Sequence, residues 1–318
     1  MKLNKIKLAL GFVTAAAMAM PIVASAAADQ EKAMSNSANW AHPRGQHDNQ
    51  AYSKLTQINK GNVKNLKAAW TLSTGVNRGH EGSPLVIGNM LYVHTAFPNN
   101  VYALDLNNNQ KVVWSYFPKQ DPSVQAVLCC DNVNRGLGFG NGKIFLQQND
   151  GNLVALNAKT GAKVWSTLNT DPKVGATNTN APHVIKDKVI TGCSGAEFGV
   201  RCFIAAYNIE DGSLAWKAMS TGPDSEVLIG KDFNKENPLF SALSVYEDVN
   251  GGNTEGGSFK RIPNDQLQAP VADLGIKTWL KPQAVKDGWQ HGGGSVWGWW
   301  PYDAKTNLIY YGTGNPSV

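Results

Sequence analysis

Leu153-Val154-Ala155-Leu156-Asn157-Ala158-Lys159-Thr160-Gly161, running on to Trp165, decides the fold. It reads as a strand, an Asn/Asp-Gly type turn and a second strand ending in tryptophan. The same piece returns as Ile204-Ala205-Ala206-Tyr207-Asn208-Ile209-Glu210-Asp211-Gly212, leading to Trp216 in the same register. Val101-Tyr102-Ala103-Leu104-Asp105 leads to Trp114 one residue more loosely and without the glycine. The three tryptophans are 51 residues apart in both intervals.

A second repeated piece precedes each of these. Pro84 to Asn89 runs into Met90-Leu91-Tyr92-Val93, Gly138 to Lys143 into Ile144-Phe145-Leu146, and Pro182 to Asp187 into Lys188-Val189-Ile190. Two hairpins per unit make a four-stranded antiparallel blade, and a period near 50 means a β-propeller. The competing all-β reading is a sandwich with coincidental self-similarity. Asn307 to Gly312 begins another blade, and nothing past Val318 completes it. A ring closes only when its last blade pairs with its first, because open edges are costly. The chain is therefore expected to be the N-terminal part of a larger propeller whose C-terminal blades are missing.

Composition agrees. Gly 32, Trp 10 and only 17% charged residues suit many short strands joined by tight turns. Trp40 to Trp70 forms a lead-in, with a short helix expected around Lys60 to Leu66. Residues 247–273, rich in Gly, Asn and Pro, read as a long surface-loop insertion.

Lys2, Lys5 and Lys7 precede an uncharged apolar stretch from Leu8 to Val23, and Ala24-Ser25-Ala26 supplies the small residues of a cleavage site. Residues 1–26 thus read as a cleaved signal peptide, interrupted by Gly11 and Pro21 and too short for a membrane anchor. No other run is long and apolar enough to span a bilayer. The remaining chain, 27–318, is expected in the periplasm. Losing three lysines lowers the formal net charge from +5 to +2, so no basic stripe remains to suggest nucleic acid.

Four cysteines in an exported chain make disulfides plausible. Cys193 and Cys202 can bond across eight intervening residues or serve as small buried residues in adjacent strands; the bond is only slightly favoured. Cys129 and Cys130 are adjacent, and adjacent cysteines bond to each other only through a strained eight-membered ring. By chemistry alone, pairing elsewhere or remaining reduced is the simpler reading.

The context of that pair, Cys129-Cys130-Asp131-Asn132-Val133-Asn134-Arg135-Gly136, resembles the vicinal-disulfide motif of the methanol dehydrogenases that use pyrroloquinoline quinone (PQQ). Five further motifs match that family in order: Gly79-His80-Glu81-Gly82, Thr179-Asn180-Ala181-Pro182, Cys193 to Arg201, Gly292 to Trp299, and Tyr310 to Pro316. The lead-in ending in Leu66-Lys67-Ala68-Ala69-Trp70 is similar to its N-terminus. The resemblance covers nearly all of the chain after residue 26. It implies an eight-bladed quinoprotein propeller, of which about the first half is present.

The resemblance also implies roles. A disulfide between Cys129 and Cys130 would cover one face of the flat, tri-anionic cofactor and Trp297 the other, about 7 Å away. Arg135, Thr179, Ser194, Gly195, Ala196 and Ser295 fall at positions that meet its carboxylates and carbonyls, and Glu81 matches a carboxylate that touches it. Glu197 and Asn315, 118 residues apart, match two oxygen ligands of a Ca²⁺ or lanthanide ion beside the quinone. His80 reads as positioning Glu81. Trp299 and Trp300 read as packing residues, as do Trp114, Trp165 and Trp216.

The implied activity is oxidation of a primary alcohol, methanol or similar, to the aldehyde, with electrons passed to a cytochrome c. A small subunit or a homodimer is compatible with the resemblance. The family's aspartate base lies beyond Val318, and Asp303 is not that residue, so the fragment is expected to be inactive. The extra aspartate that marks lanthanide-type members lies beyond it too, which leaves the metal open. The insertion leaves the alcohol open. The runner-up is a non-catalytic propeller of the outer-membrane assembly type, a class with no use for such a set of site residues.

Overall fold

The computed structural model describes residues 28–128, 132–222, 226–227, 246–248, 259–261 and 288–314. The repeats fold into three consecutive four-stranded antiparallel sheets, each with its strands side by side in chain order. The first holds β1 (Leu85–Ile87), β2 (Met90–His94), β3 (Val101–Asp105) and β4 (Lys111–Tyr116). The second holds β5 (Leu137–Gly140), β6 (Lys143–Gln147), β7 (Asn152–Asn157) and β8 (Lys163–Leu168). The third holds β9 (His183–Ile185), β10 (Lys188–Thr191), β11 (Phe203–Asn208) and β12 (Leu214–Met219).

Turn chemistry explains the sharp reversals. Gly140 pairs with Lys143 across Asn141 and Gly142, whose φ angles are 49° and 63°. Two successive positive φ values suit the twist of a two-residue hairpin, and Asn and Gly adopt them at least cost.

The tryptophan spacing has a structural cause. Ala103, Ala155 and Ala206 lie opposite Trp114, Trp165 and Trp216, and in each blade the register shifts immediately after that alanine. Each of the first two tryptophans then reaches into the next blade. Trp114 donates its indole N–H to the Ala158 carbonyl at 3.0 Å, and Trp165 donates to that of Ile209 at 3.2 Å. Gly161 and Gly212, both at φ 72°, make room: a Cβ on either would stand 2.6 Å from the indole Cε3. The motif glycine of blades two and three therefore serves the blade before it.

Side-chain alternation builds the cores between blades. Ile144, Leu146, Val154 and Leu156 face blade one, with Tyr92, Ala103 and Trp114. Their neighbours Phe145, Leu153 and Ala155 face blade three, with Val184, Val189, Phe203 and Tyr207. Ile185, Ile190, Ile204 and Ala206 on the far side of blade three pack on Val296, Trp300 and Tyr302. Inner strands β5 and β9 are buried throughout, whereas outer strands β4, β8 and β12 are largely solvated and carry Lys111, Lys163 and Lys217. Edge lysines discourage pairing with another chain.

The lead-in ties the inner strands together. Helix α1 (Ala28–Ser35) buries Gln30, Ala33 and Met34, and the Asp29 carboxylate accepts the backbone N–H groups of Asn141 and Gly142 at 2.7 and 2.6 Å. Trp40 exchanges backbone hydrogen bonds with Val86, His42 contacts His183, and Tyr302 donates its N–H to the His47 carbonyl. The helix expected over Lys60 to Leu66 is only one 3₁₀ turn, Val63–Asn65. Asn59 and Asn62 bond to nearby backbone there, offering the chain an alternative to helix.

Within the expected loop 247–273, β13 (Tyr246–Asp248) pairs with β14 (Phe259–Arg261). A last pair, β15 (Tyr302–Asp303) and β16 (Leu308–Ile309), starts the next unit. Residues 1–26 lie outside the described residues. Among the described residues no helix is long and apolar enough to cross a membrane.

Candidate functional site

In an antiparallel blade the start of the first strand and the end of the second lie at the same end of the sheet. Glu81, Arg135, Thr179 and Trp297 precede β1, β5, β9 and β15, and Ser194 to Glu197 follow β10. The architecture therefore carries residues from four successive units to one end.

Arg135 is the centre of that gathering. Its side chain is 7% exposed, and its Nε lies 3.1 Å from Glu81 Oε2. Its Nη1 donates to Thr179 Oγ1 at 2.7 Å and, at longer range, to the carbonyls of Thr179 and Trp297. Thr179 Oγ1 lies 2.9 Å from Ser194 Oγ, so a line of polar groups runs from the guanidinium to the β10 end. Burial lowers the Arg135 pKa and the Glu81 carboxylate opposes that shift. Glu81 itself is 42% exposed, leaving the buried cation only partly neutralised.

Trp297 forms one wall, 44% exposed, with the Arg135 guanidinium 4.6 Å from its ring centre. The guanidinium thus stands over the indole, whereas it was expected only at the edge of a stacked ligand. Gly195 takes φ 115°, and a side chain there would strike the Gly175 carbonyl. Ala196 donates its N–H to Ser295 Oγ, and Gly314 donates to the Ser295 carbonyl. Cys193 and Cys202 are bonded, with Cα atoms 5.3 Å apart, and clamp the base of the Ser194 to Val200 loop. They are also fully buried, but they lie just outside β10 and β11 rather than within adjacent strands.

Of the residues expected at the site, Glu81, Arg135, Thr179, Ser194 and Trp297 are linked by direct contacts, and Ala196 bonds to Ser295, next but one to Trp297. Glu197 follows on the same loop and is exposed. Cys129, Cys130 and Asn315 lie outside the described residues, and with them the expected disulfide, the 7 Å slot and the second metal ligand. Among the described residues no three His, Cys, Asp or Glu side chains converge to hold a metal. His80 differs from its expected part: its ring nitrogens face Arg78 O at 2.7 Å and Thr74 Oγ1 at 3.4 Å. It braces the turn before Glu81 rather than the carboxylate, because its ring is turned back along its own loop.

Sequence reasoning missed His94, at the end of β2. Its Nε2 lies 3.2 Å from the Asn134 carbonyl, and burial pushes its pKa down to about 4, so the neutral ring donates to the loop carrying Arg135. Asn149 Nδ2 supports the same loop through Val133 O and reaches Asn178 O. The only sequence signal is a polar residue, at a core-facing strand end for His94 and in the turn after β6 for Asn149.

The fold and this gathering define a β-propeller with a buried guanidinium, two linked hydroxyls and an indole wall at one end, groups whose chemistry suits a planar anion. The chain belongs to the PQQ-dependent dehydrogenase family: residues 40–237 match the model described as "Glucose/ethanol/alcohol dehydrogenase, beta-propeller domain". It is 46% identical over 288 residues to the lanthanide-dependent methanol dehydrogenase of Methylorubrum extorquens, covering 90% of this chain and 42% of that one. Methanol dehydrogenase (cytochrome c) subunit 1 of the same organism is 46% identical over 285 residues, covering 88% and 40%. Among solved structures, a europium-containing methanol dehydrogenase superposes with a TM-score of 0.74 at 40% identity, over 91% of this chain and 44% of that one. The chain spans less than half the length of these relatives.

Proposed function

We propose that this chain is the N-terminal part of a periplasmic quinoprotein that oxidises a primary alcohol, methanol or a close homologue, to the aldehyde. The observation that carries the reading is Arg135, a buried cation in contact with Glu81, Thr179 and Trp297, each from a different unit than its own. When bound, PQQ and a Ca²⁺ or lanthanide ion supply the hydride acceptor and the Lewis acid. Arg135, Thr179 and Ser194 hold the anionic edge of the cofactor, and Trp297 supplies an aromatic wall and excludes water. Gly195, at φ 115° and packed against the Gly175 carbonyl, sets the turn that carries Ser194 and Ala196 toward the ligand. Glu197 contributes a metal oxygen, with Asn315 as its partner, and Cys129-Cys130 covers the second face. Electrons pass to a cytochrome c, and a small subunit or a second copy completes the assembly. A scaffold propeller has no use for a buried guanidinium beside a solvent-facing indole.

The test is reconstitution. Metal-free, cofactor-free protein titrated with PQQ and Ca²⁺ or La³⁺ should show saturable quenching of tryptophan fluorescence. Arg135→Ala should weaken PQQ about 10–100-fold, the range for a lost hydrogen bond to a charged group. Glu197→Gln should weaken the metal while leaving the melting temperature unchanged. No saturable PQQ binding by the parent protein would overturn the reading.

A further inference from the structure

Trp299 stands two residues beyond Trp297 and is half-buried. Its indole N–H donates to the main-chain carbonyl of Arg135 at 3.1 Å, across 164 residues of sequence. The other side of that residue is held as well: the Arg135 N–H donates to Thr179 O at 3.1 Å, and the preceding carbonyl, Asn134 O, is held by His94. The Arg44 guanidinium of the lead-in lies 5.1 Å from the centre of the Trp299 ring. The Arg135 side chain is long, so a small rotation of its peptide is amplified at the guanidinium. Its main chain and side chain are gripped by one segment, because Trp297 O accepts from Nη1 while Trp299 Nε1 donates to the carbonyl.

We propose that Trp299, read from sequence as packing, is a positioning residue that aims Arg135 at the cofactor, braced from behind by Arg44. This rests on the PQQ reading above. The Trp299 ring is oriented by the cation on its face and delivers its N–H to Arg135. Arg135 in turn presents its guanidinium to the ligand edge. The lead-in thereby takes part in the site, although it contributes no residue that touches the ligand.

The experiment is a double-mutant cycle on PQQ affinity, read by fluorescence quenching in the whole protein without turnover. Trp299→Phe keeps an aromatic ring and deletes the donor. It should raise the PQQ dissociation constant about five-fold in the parent, equivalent to one neutral hydrogen bond. In the Arg135→Ala background the same change should alter affinity less than about two-fold, because its effect is transmitted through Arg135. Equal losses in both backgrounds, or no loss in the parent, would return Trp299 to packing and overturn the proposal. If Trp299→Phe does not fold, Arg44→Met, which leaves the indole in place, should show the same dependence on Arg135, and its absence overturns the proposal equally. Failure of the parent protein or of Arg135→Ala to show PQQ-dependent behaviour would instead strike the functional reading beneath it.

Discussion

Gly161→Ala should be among the most damaging single-methyl substitutions in this protein, and its cost can be built in two parts. At φ 72° any L side chain is strained, at about 1–2 kcal/mol, partly offset by the smaller freedom of alanine in the unfolded chain. Gly88 isolates this part: at φ 59° it has nothing within 4 Å of an added Cβ, so Gly88→Ala should cost about 1 kcal/mol. At Gly161 the new Cβ also stands 2.6 Å from Trp114 Cε3, well inside ordinary contact. The indole must retreat, weakening its 3.0 Å bond to Ala158 O, at about 1 kcal/mol. Overpacking of the interface adds about 1–3 kcal/mol. Gly161→Ala should therefore exceed Gly88→Ala by about 2–4 kcal/mol in urea unfolding followed by tryptophan fluorescence. Equal costs to within about 0.5 kcal/mol would refute the claim that the glycine exists to receive the preceding tryptophan.

Acid sensitivity follows from the buried histidines. Burial holds His183 at about 3 and His94 at about 4, against about 6.5 in the unfolded chain. Stability is thus intact above about pH 6.5 and falls as pH drops toward 4, by up to 1.4 kcal/mol per pH unit for each ring. His94→Gln, which keeps an N–H for Asn134 O, should flatten the pH dependence of the urea midpoint; an unchanged slope would sink this account. Replacing Cys193 and Cys202 together by alanine should cost about 2–4 kcal/mol and remove the sensitivity of melting to reductant that the clamp confers. Asp29→Ala removes the acceptor for two backbone N–H groups and should free α1 to proteolysis while leaving the blades folded; uncleaved α1 would show that the carboxylate does not dock it.

The blades were legible because their cause is local and repeated. Asn-Gly turns, alternating apolar residues and a tryptophan every 51 residues specify hairpins, strands and their order. The site was legible only through motif resemblance: nothing in the spacing of Glu81, Arg135, Thr179, Ser194 and Trp297 says that they meet, and the circular arrangement of blades brings them together. Why each blade glycine must be glycine was not legible at all, since the atom that requires it belongs to the previous blade. The parts played by His94, Trp299 and Arg44 were hidden for the same reason. Each is an ordinary buried or half-buried residue in its own segment and acquires a function from a carbonyl or ring 40 or more positions away. Sequence by itself determined the repeating element and the chemistry it carries. Tertiary structure decided which side chains share an end of the propeller and what holds each in aim, because those contacts depend on long-range packing that no local pattern encodes.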